Sequence, residues 1–111
     1  MSEKSSTLGE LEVLVLLAVL RCEGNAYGIT VRDEIRHRAN RPLALGTIYK
    51  TLMRLEVKGY LDSSTSAPEL KRGGRRRKLY RATGRGRTVL EHSMKTLTRM
   101  AQGLKVVPEF S

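Results

Sequence analysis

The spacing of apolar residues changes twice along this chain, and this change constrains the fold more than any other feature. Over residues 8–58 the apolar side chains recur every three or four positions, which predicts α-helices. Residues 60–65 and 75–82 are short runs with β-branched or aromatic side chains, which are typical of strands. Helical spacing returns after Thr83. The predicted order is therefore three helices, a two-stranded hairpin and one further helix.

Capping and turn residues predict where these elements begin and end. Thr7 and Glu10 match a capping box at the start of the first helix, and Asn25 is expected to cap the second. Pro42 ends the second helix and Gly59 ends the third. The predicted helical ranges are about 7–21, 26–38 and 44–58, with a last helix over about 83–103.

The order of elements predicts the fold class. Short helices followed by a hairpin are the arrangement of a winged helix-turn-helix, a mainly α fold of the α+β type. In the return strand, Lys78, Tyr80 and Ala82 are expected on one face. The predicted division is a flexible tail at 1–7, a winged-helix DNA-binding domain at 8–82, a C-terminal dimerisation helix at 83–104 and a tail at 105–111.

The positive charge is concentrated in one segment. The chain has 21 Lys and Arg against 11 Asp and Glu, a net charge of +10. Nine of the basic residues, and no acidic ones, lie within residues 71–87. A cationic segment of this kind indicates a polyanionic partner, either nucleic acid or an anionic membrane surface. A membrane surface would require an amphipathic helix there, which the segment does not resemble.

The third helix and the hairpin supply the predicted DNA-binding residues. At about 100° per residue, the helix face opposite Leu52 and Leu55 carries hydrogen-bonding and cationic groups without a carboxylate. Its first two turns are expected to contact base edges, and its later cations to contact phosphates. The predicted base-contacting residues are Thr47, Lys50 and Thr51. The predicted phosphate-contacting residues are Arg54 and Lys58 of the helix and Arg75, Arg76, Arg77 and Lys78 of the hairpin. The alternative for each is a solvated charged surface.

The last helix carries apolar residues at the 4-3-4-3 spacing of a coiled-coil seam. An intramolecular packing face would give the same pattern, but few other elements are left to cover it. The first helix is also apolar on nearly all sides, which favours burial by more than one partner. A homodimer is therefore predicted. Its predicted interface residues are Leu11, Leu14, Leu90, Met94, Leu97, Ala101 and Leu104.

Several classes of function find no support in the sequence. The longest apolar run has eight residues, against the ~20 that a membrane span needs. No spacing of His or Cys suits a metal, and Gly84-Arg85-Gly86 lacks the context of a phosphate-binding loop. Cys22 is the single cysteine, which fits a reducing cytoplasm and an inert thiol. No catalysis and no cofactor are therefore expected.

Blocks of residues along nearly the whole chain resemble the PadR family of bacterial transcriptional regulators. The helix-three block and the hairpin block together are the specific part of the match. The residues that carry the resemblance are Leu8-Gly9-Glu10-Leu11-Glu12, Ala26-Tyr27-Gly28-Ile29, Gly46-Thr47-Ile48-Tyr49-Lys50-Thr51-Leu52-Met53-Arg54-Leu55-Glu56, Gly59-Tyr60-Leu61 and Arg75-Arg76-Arg77-Lys78-Leu79-Tyr80-Arg81-Ala82-Thr83 with Gly86.

The resemblance implies a cytoplasmic, dimeric DNA-binding protein, usually a repressor of a palindrome-like operator. Tyr27 and Tyr49 match tyrosines of that family, and Tyr49 is included among the predicted DNA-binding residues. Either ring would pack between helices or contact phosphate through its hydroxyl. Ala44 stands where relatives often have a Ser or Thr cap. With no Trp and one Phe, Phe110, the aromatic drug site of some short members is not expected. A small-molecule effector is left open.

Two other functions remain as alternatives. A protein–protein adaptor would need an apolar or acidic patch on the third helix, and the sequence is interpreted as lacking one. An RNA-binding module would need aromatic stacking platforms, whereas the five aromatic residues are expected to be mainly structural.

Overall fold

A computed structural model describes residues 8–65 and 77–106. The described elements are α1 Glu10–Arg21, α2 Gly28–Ala39, α3 Leu45–Val57, β1 Leu61–Thr65, β2 Lys78–Ala82 and α4 Gly84–Ala101. Their order and type confirm the predicted mainly helical fold with a two-stranded hairpin. The predicted turn at 66–74, Arg75, Arg76 and residues 1–7 and 107–111 lie outside the described residues.

The first helix begins later than the predicted capping box at Thr7. Its N-cap residue is Gly9, which has extended backbone torsion angles. Glu12, rather than Glu10, folds back on the helix start, where its Oε1 accepts a hydrogen bond from the Gly9 N–H at 3.0 Å. Glycine has no side-chain oxygen, so only the glutamate half of a capping box forms.

The second helix is capped by Tyr27 and not, as predicted, by Asn25. Thr30 replaces the expected cap: its Oγ1 accepts a hydrogen bond from the Tyr27 N–H at 3.0 Å and donates one to the Asn25 carbonyl oxygen at 2.7 Å. At the other end Asn40 adopts a left-handed conformation, with φ 56°. Asparagine tolerates that conformation, so the helix stops before Pro42 as predicted.

The hydrophobic core lies between α1, α2, α3, the strand pair and the first half of α4. α1 contacts α2, α3, α4 and β2, which explains why it is apolar on nearly every side. The apolar spacing of α3 predicts an inward face of Leu45, Ile48, Leu52 and Leu55. The last three are fully buried, as predicted, whereas Leu45 in the first turn is only partly buried. The other buried apolar residues are Val15, Leu16, Ala18, Val19, Ala26, Val31, Ile35, Tyr60, Leu61, Tyr80, Val89 and Leu90.

The strand pair is antiparallel and is held against the helices from one side. Its register places Leu61 opposite Ala82 and Ser63 opposite Tyr80. Tyr80 is buried, and its N–H donates a hydrogen bond to the Ala26 carbonyl oxygen at 2.8 Å. That bond ties β2 to the residues just before α2. The strand pair of β1 and β2, with Arg77 directly before β2, is called the wing below.

Thr83 caps the last helix, as predicted. Its Oγ1 accepts a hydrogen bond from the Gly86 N–H at 2.9 Å and donates one to the Gly59 carbonyl oxygen at 2.8 Å. The start of α4 is thereby fixed to the turn between α3 and β1. Within the residues that the structure describes, no helix is long and apolar enough to cross a membrane.

Candidate nucleic-acid interface

The outward face of α3 presents cations to solvent. Lys50 and Arg54 are exposed, and Thr47 is partly exposed in the first turn. All residues of α3 are described, and its one carboxylate, Glu56, turns towards the wing and is bound there. Because no acidic group interrupts this face, an anionic partner meets no repulsion from α3 itself.

Thr51 does not lie on this face, contrary to the prediction. Its side chain is 1% exposed, and its Oγ1 donates a hydrogen bond to the Thr47 carbonyl oxygen at 2.9 Å. The cause is visible in the spacing: Thr51 follows Ile48 by three residues and precedes Leu55 by four, so it shares their buried face. The hydroxyl is satisfied within the helix and is not available to a base edge.

Two other residues occupy the outward face without having been predicted there. Met53 is 56% exposed, beside Arg54. Gly46 is exposed in the first turn, and a Cβ added to it would meet nothing within 4 Å. The helical wheel already separates both residues from the Leu52 and Leu55 stripe. Neither has the polar side chain on which the sequence-based prediction of base contacts depends.

Tyr49 packs against the start of α2. A Cβ on Gly28 would lie 2.3 Å from Tyr49 Cε1 and 2.8 Å from its hydroxyl oxygen. Only glycine at position 28 leaves room for the ring there. The tyrosine remains 43% exposed. The ring is therefore packed between helices, as one of the two interpretations held, and a phosphate contact from the hydroxyl stays a prediction.

The root of the wing is anchored beside the same helix start. The guanidinium of Arg77 lies over the Tyr27 ring, 4.5 Å from its centroid. Tyr27 precedes Gly28, so α3 and the wing both contact the residues at the start of α2. A cation–π contact is worth about 0.5–1 kcal/mol at an exposed site. The start of α2 thus places Arg77 and Tyr49 on adjoining parts of one surface.

Lys58 lies at the end of α3 but is already paired within the chain. Its Nζ is 2.8 Å from Glu12 Oε2, and the Glu12 side chain is only 8% exposed. Burial alone would raise the pKa of Glu12. The hydrogen bonds from Lys58 and the Gly9 N–H, with the charges of Lys58 and Arg54, outweigh it and lower the pKa. The predicted phosphate contact of Lys58 stays a prediction, and it would compete with this pair.

Lys78 is likewise paired, with Glu56 of α3. Its Nζ lies 3.2 Å from Glu56 Oε1, and the Ser63 hydroxyl donates a hydrogen bond to Glu56 Oε2 at 2.5 Å. The sequence alone suggested neither pairing, because the partners are 46 residues apart in one case and 22 in the other. Of the predicted wing cations, Arg75 and Arg76 lie outside the described residues.

The predicted dimer residues fall into two groups. Leu90 is buried against α1 and the rest of the core, at 6% exposure. Met94 and Leu97 continue the same stripe along α4 but are 41% and 61% exposed. Leu104 does not, because α4 ends at Ala101, short of the predicted end of the dimerisation helix at residue 104, and Gly103 then adopts φ 83°. Leu104 lies in the turn that follows and is 60% exposed. Ala101, Leu11 and Leu14 are half-buried. The apolar stripe therefore extends beyond the part of α4 that the protomer covers.

A groove separates α1 from α4 beside this stripe. It has a volume of about 580 Å³, and its apolar lining comes from Leu17, Leu20, Leu90 and Met94. Next to these residues on α4, the hydroxyl of Ser93 is buried without a hydrogen-bond partner among the described residues.

Comparisons with known proteins all point to transcriptional regulators of one family. Residues 16–92 match the transcriptional regulator PadR-like family. The chain is 32% identical over 80 residues to the transcriptional regulator Rv3488 of Mycobacterium tuberculosis, covering 72% of this chain and 70% of that protein. A PadR family transcription regulator from Clostridium difficile has 32% identity and a TM-score of 0.67, with 85% and 92% of the chains covered. The PadR family regulator of Eggerthella lenta has 27% identity and a TM-score of 0.68, with 85% and 81% covered.

The three helices, the two-stranded wing and the following helix define a winged helix-turn-helix regulator. The chain belongs to the PadR-like family of transcriptional regulators. This confirms the family that the sequence blocks resembled. Members of the family regulate transcription and are not enzymes. Among residues 8–65 and 77–106, no group of three or more His, Cys, Asp or Glu side chains could hold a metal ion.

Proposed function

We propose that this regulator binds double-stranded DNA as a homodimer and represses transcription from a palindrome-like operator. The observation that carries the proposal is the outward face of α3, where Lys50 and Arg54 are exposed and no carboxylate lies between them. In a helix-turn-helix such a face enters the major groove. Because DNA is the ligand, the protein would act in the cytoplasm of a bacterial cell.

Within the major groove the residues of α3 would divide their roles. Lys50 can donate to guanine O6 and N7, and Thr47 can bond a base edge from the first turn. Met53 can contact a thymine methyl group, which is the apolar feature of that groove. Arg54 is placed to neutralise a phosphate. Wing cations, Arg77 among them, would meet phosphates and contribute affinity without sequence preference.

The dimer proposal rests on the uncovered stripe of α4 and the groove beside it. Met94 and Leu97 of α4, and Leu104 just beyond its end, are large apolar side chains that a lone protomer leaves in water. Covering them gains roughly 25 cal/mol for each Å² of apolar surface removed from water. A second copy of the same helix offers the matching surface, since a two-fold interface is self-complementary. Two copies of α3 would then face two half-sites.

Selection from random duplex DNA tests sequence-specific binding and yields the operator. Lys50→Ala should then cost ~1–3 kcal/mol on the operator with little loss on random DNA, because one base contact disappears. Arg36→Ala is the matched control, since Arg36 is an exposed cation on α2, away from this face. Both variants lose one positive charge. An unchanged ratio of operator to random affinity in Lys50→Ala would remove Lys50 from the base-contacting set.

The wing proposal is tested by the salt dependence of binding. Replacing Arg75, Arg76 and Arg77 with Ala should weaken binding to operator and random DNA alike. The slope of log affinity against log salt should fall by roughly 0.9 for each phosphate that the wing no longer neutralises. Unchanged affinity and slope at low salt would mean that the wing does not touch the DNA.

Leu97→Lys tests the assembly. A buried, unpaired ammonium is costly enough to open the interface, so we expect monomers that no longer hold an operator. Thr96→Lys places the same charge on the neighbouring residue, off the 4-3-4-3 seam, and should leave the assembly intact. Light scattering on both folded proteins measures the result. A dimeric Leu97→Lys protein would refute the role of this helix.

One observation favours a protein–protein adaptor as the second candidate function. Met53 and Val57 of α3 are 56% and 86% exposed. They lie four residues apart, one helical turn, on a helix that the sequence predicts to lack an apolar patch. An apolar contact with a partner protein would use these two residues. Two results together would favour the adaptor: selection from random DNA enriches no sequence, and Met53→Ala abolishes binding to a protein partner. The proposed binding to an operator would then be rejected.

A further inference from the structure

We infer that Glu56 is a positioning residue, which sets where the cations of the wing meet the DNA backbone relative to the bases contacted by α3. The inference rests on the proposed DNA-binding function. It concerns a carboxylate that does not itself touch DNA. Glu56 lies near the end of α3, two residues after Arg54 and six after Lys50.

Both strands of the wing donate to this one carboxylate. Ser63 of β1 bonds Oε2 at 2.5 Å, and Lys78 of β2 lies 3.2 Å from Oε1. In the antiparallel register Ser63 faces Tyr80 and Thr65 faces Lys78. Ser63 and Lys78 therefore lie on the same face of the strand pair, the face turned towards α3. Each oxygen has its own donor, so sliding or rotation of the wing on α3 would break at least one bond.

The electrostatics keep this contact formed at neutral pH. The hydrogen bond from Ser63 lowers the pKa of Glu56, burial opposes it, and Lys78 lowers the pKa further. The bond to Glu56 in turn is the main cause that raises the pKa of Lys78. Both side chains therefore stay charged and paired. Paired in this way, the carboxylate does not repel the phosphates that the neighbouring cations of α3 would meet.

The contact has more consequence for geometry than for stability. The side chains of Glu56 and Lys78 are 31% and 51% exposed. Partly exposed ion pairs are typically worth no more than about 1 kcal/mol. Operator binding, in contrast, requires the bases under α3 and the phosphates under the wing to be contacted at once. A wing that turns freely on α3 would still bind phosphates of any sequence, but not in register with the bases that α3 contacts.

The test uses four variants of the full chain. Glu56→Gln removes the charge that holds Lys78, and Ser63→Ala removes the hydroxyl donor while leaving the ion pair. Ser63→Thr keeps the donor and should restore the behaviour of the native protein. Glu23→Gln is the control: it also removes one carboxylate, which is in an exposed pair with Arg87 of α4 at 3.7 Å. Among the described residues, that carboxylate makes no hydrogen bond or ion pair with α3 or the wing.

Hydroxyl-radical footprints and affinities are measured on the selected operator and on random duplex DNA. For Glu56→Gln and Ser63→Ala we expect the central protection under α3 to remain, while the flanking protection weakens or moves. The ratio of operator to random affinity should fall by roughly tenfold, comparable to one mismatched base pair. Affinity for random DNA should stay equal or rise, because the wing cations remain.

A purely structural role gives a different result. Destabilisation would lower operator and random affinities together and leave the relative footprint unchanged, and that outcome overturns the inference. If Glu56→Gln does not fold, Ser63→Ala decides alone. If the native protein selects an operator but both variants match Glu23→Gln, the positioning role is refuted while the proposed function stands. If the native protein selects no DNA sequence, the proposed function fails and the inference fails with it.

Discussion

Glycine at position 86 is required by the way α4 docks on the turn after α3. A Cβ built on Gly86 would lie 2.1 Å from the Tyr60 carbonyl oxygen and 3.0 Å from its carbonyl carbon. The obstacle is backbone, so no side-chain rotation can relieve it. Gly86→Ala would force the start of α4 to retreat by about 1 Å to reach ordinary contact distance.

The loss of stability can be estimated from the hydrogen bonds that this retreat would break. The Thr83 N–H donates to the Tyr60 carbonyl oxygen at 3.1 Å, and Thr83 Oγ1 bonds the Gly59 carbonyl oxygen at 2.8 Å. Each bond is worth about 1 kcal/mol, and overpacking adds ~1–3 kcal/mol. The helix propensity of alanine returns at most about 1 kcal/mol. We expect Gly86→Ala to lower the free energy of unfolding by ~2–4 kcal/mol.

The same helix offers a matched control. A Cβ on Gly84, two residues earlier, meets nothing within 4 Å. Gly84→Ala should therefore be neutral or stabilise the protein by up to about 1 kcal/mol. Urea unfolding followed by circular dichroism measures both, at one protein concentration because a dimer makes stability concentration-dependent. Equal stability of the two variants would refute the close approach of α4 to Tyr60.

Three further predictions concern the N-cap of α3, the buried carboxylate of Glu12 and the outward face of α3. Ala44→Ser should add about 1 kcal/mol to stability, because the N-cap of α3 lacks a side-chain acceptor; no gain in urea midpoint would count against this. Glu12→Gln should cost ~1–2 kcal/mol at neutral pH. Since folding lowers the pKa of Glu12 below its ordinary 4.5, that contribution is present above pH 4.5 and lost as the pH falls through the folded pKa, so the two proteins should converge in acid. Gly46→Ala should stabilise α3 by up to about 1 kcal/mol yet weaken operator binding, because its methyl group faces the DNA; a variant that gains stability and keeps its affinity would contradict the docking.

Much of the local structure could be predicted from residue spacing alone. The stripe of Ile48, Leu52 and Leu55, the cap at Thr83 and the stop before Pro42 all depend on neighbours within a few positions. Two local predictions are wrong. The capping-box pattern favours Thr7 as the cap of α1, whereas the cap is Gly9. The polar character of Thr51 favours the outer face, whereas its spacing to Ile48 and Leu55 places it among the buried residues.

The candidate site could be predicted only as a list of cations, because the sequence does not state which of them already have partners. Lys58 is held by Glu12 and Lys78 by Glu56, whereas Lys50 and Arg54 face solvent. These differences arise when α1 packs against α3 and the strands pair beside it. No propensity or periodicity encodes contacts between residues so far apart in the chain.

The sequence by itself determined the order of elements, the inward face of each helix and the family, since these depend on local periodicity and on short blocks of residues. Only the tertiary structure decided that Tyr49 rests on Gly28, that α4 approaches the Tyr60 carbonyl, and that Glu56 receives bonds from both strands. Each of these contacts joins separate elements so closely that adding one methyl group or removing one charge would disrupt it. Such distances are set by how the whole core packs, because interior side chains fill the available space almost completely.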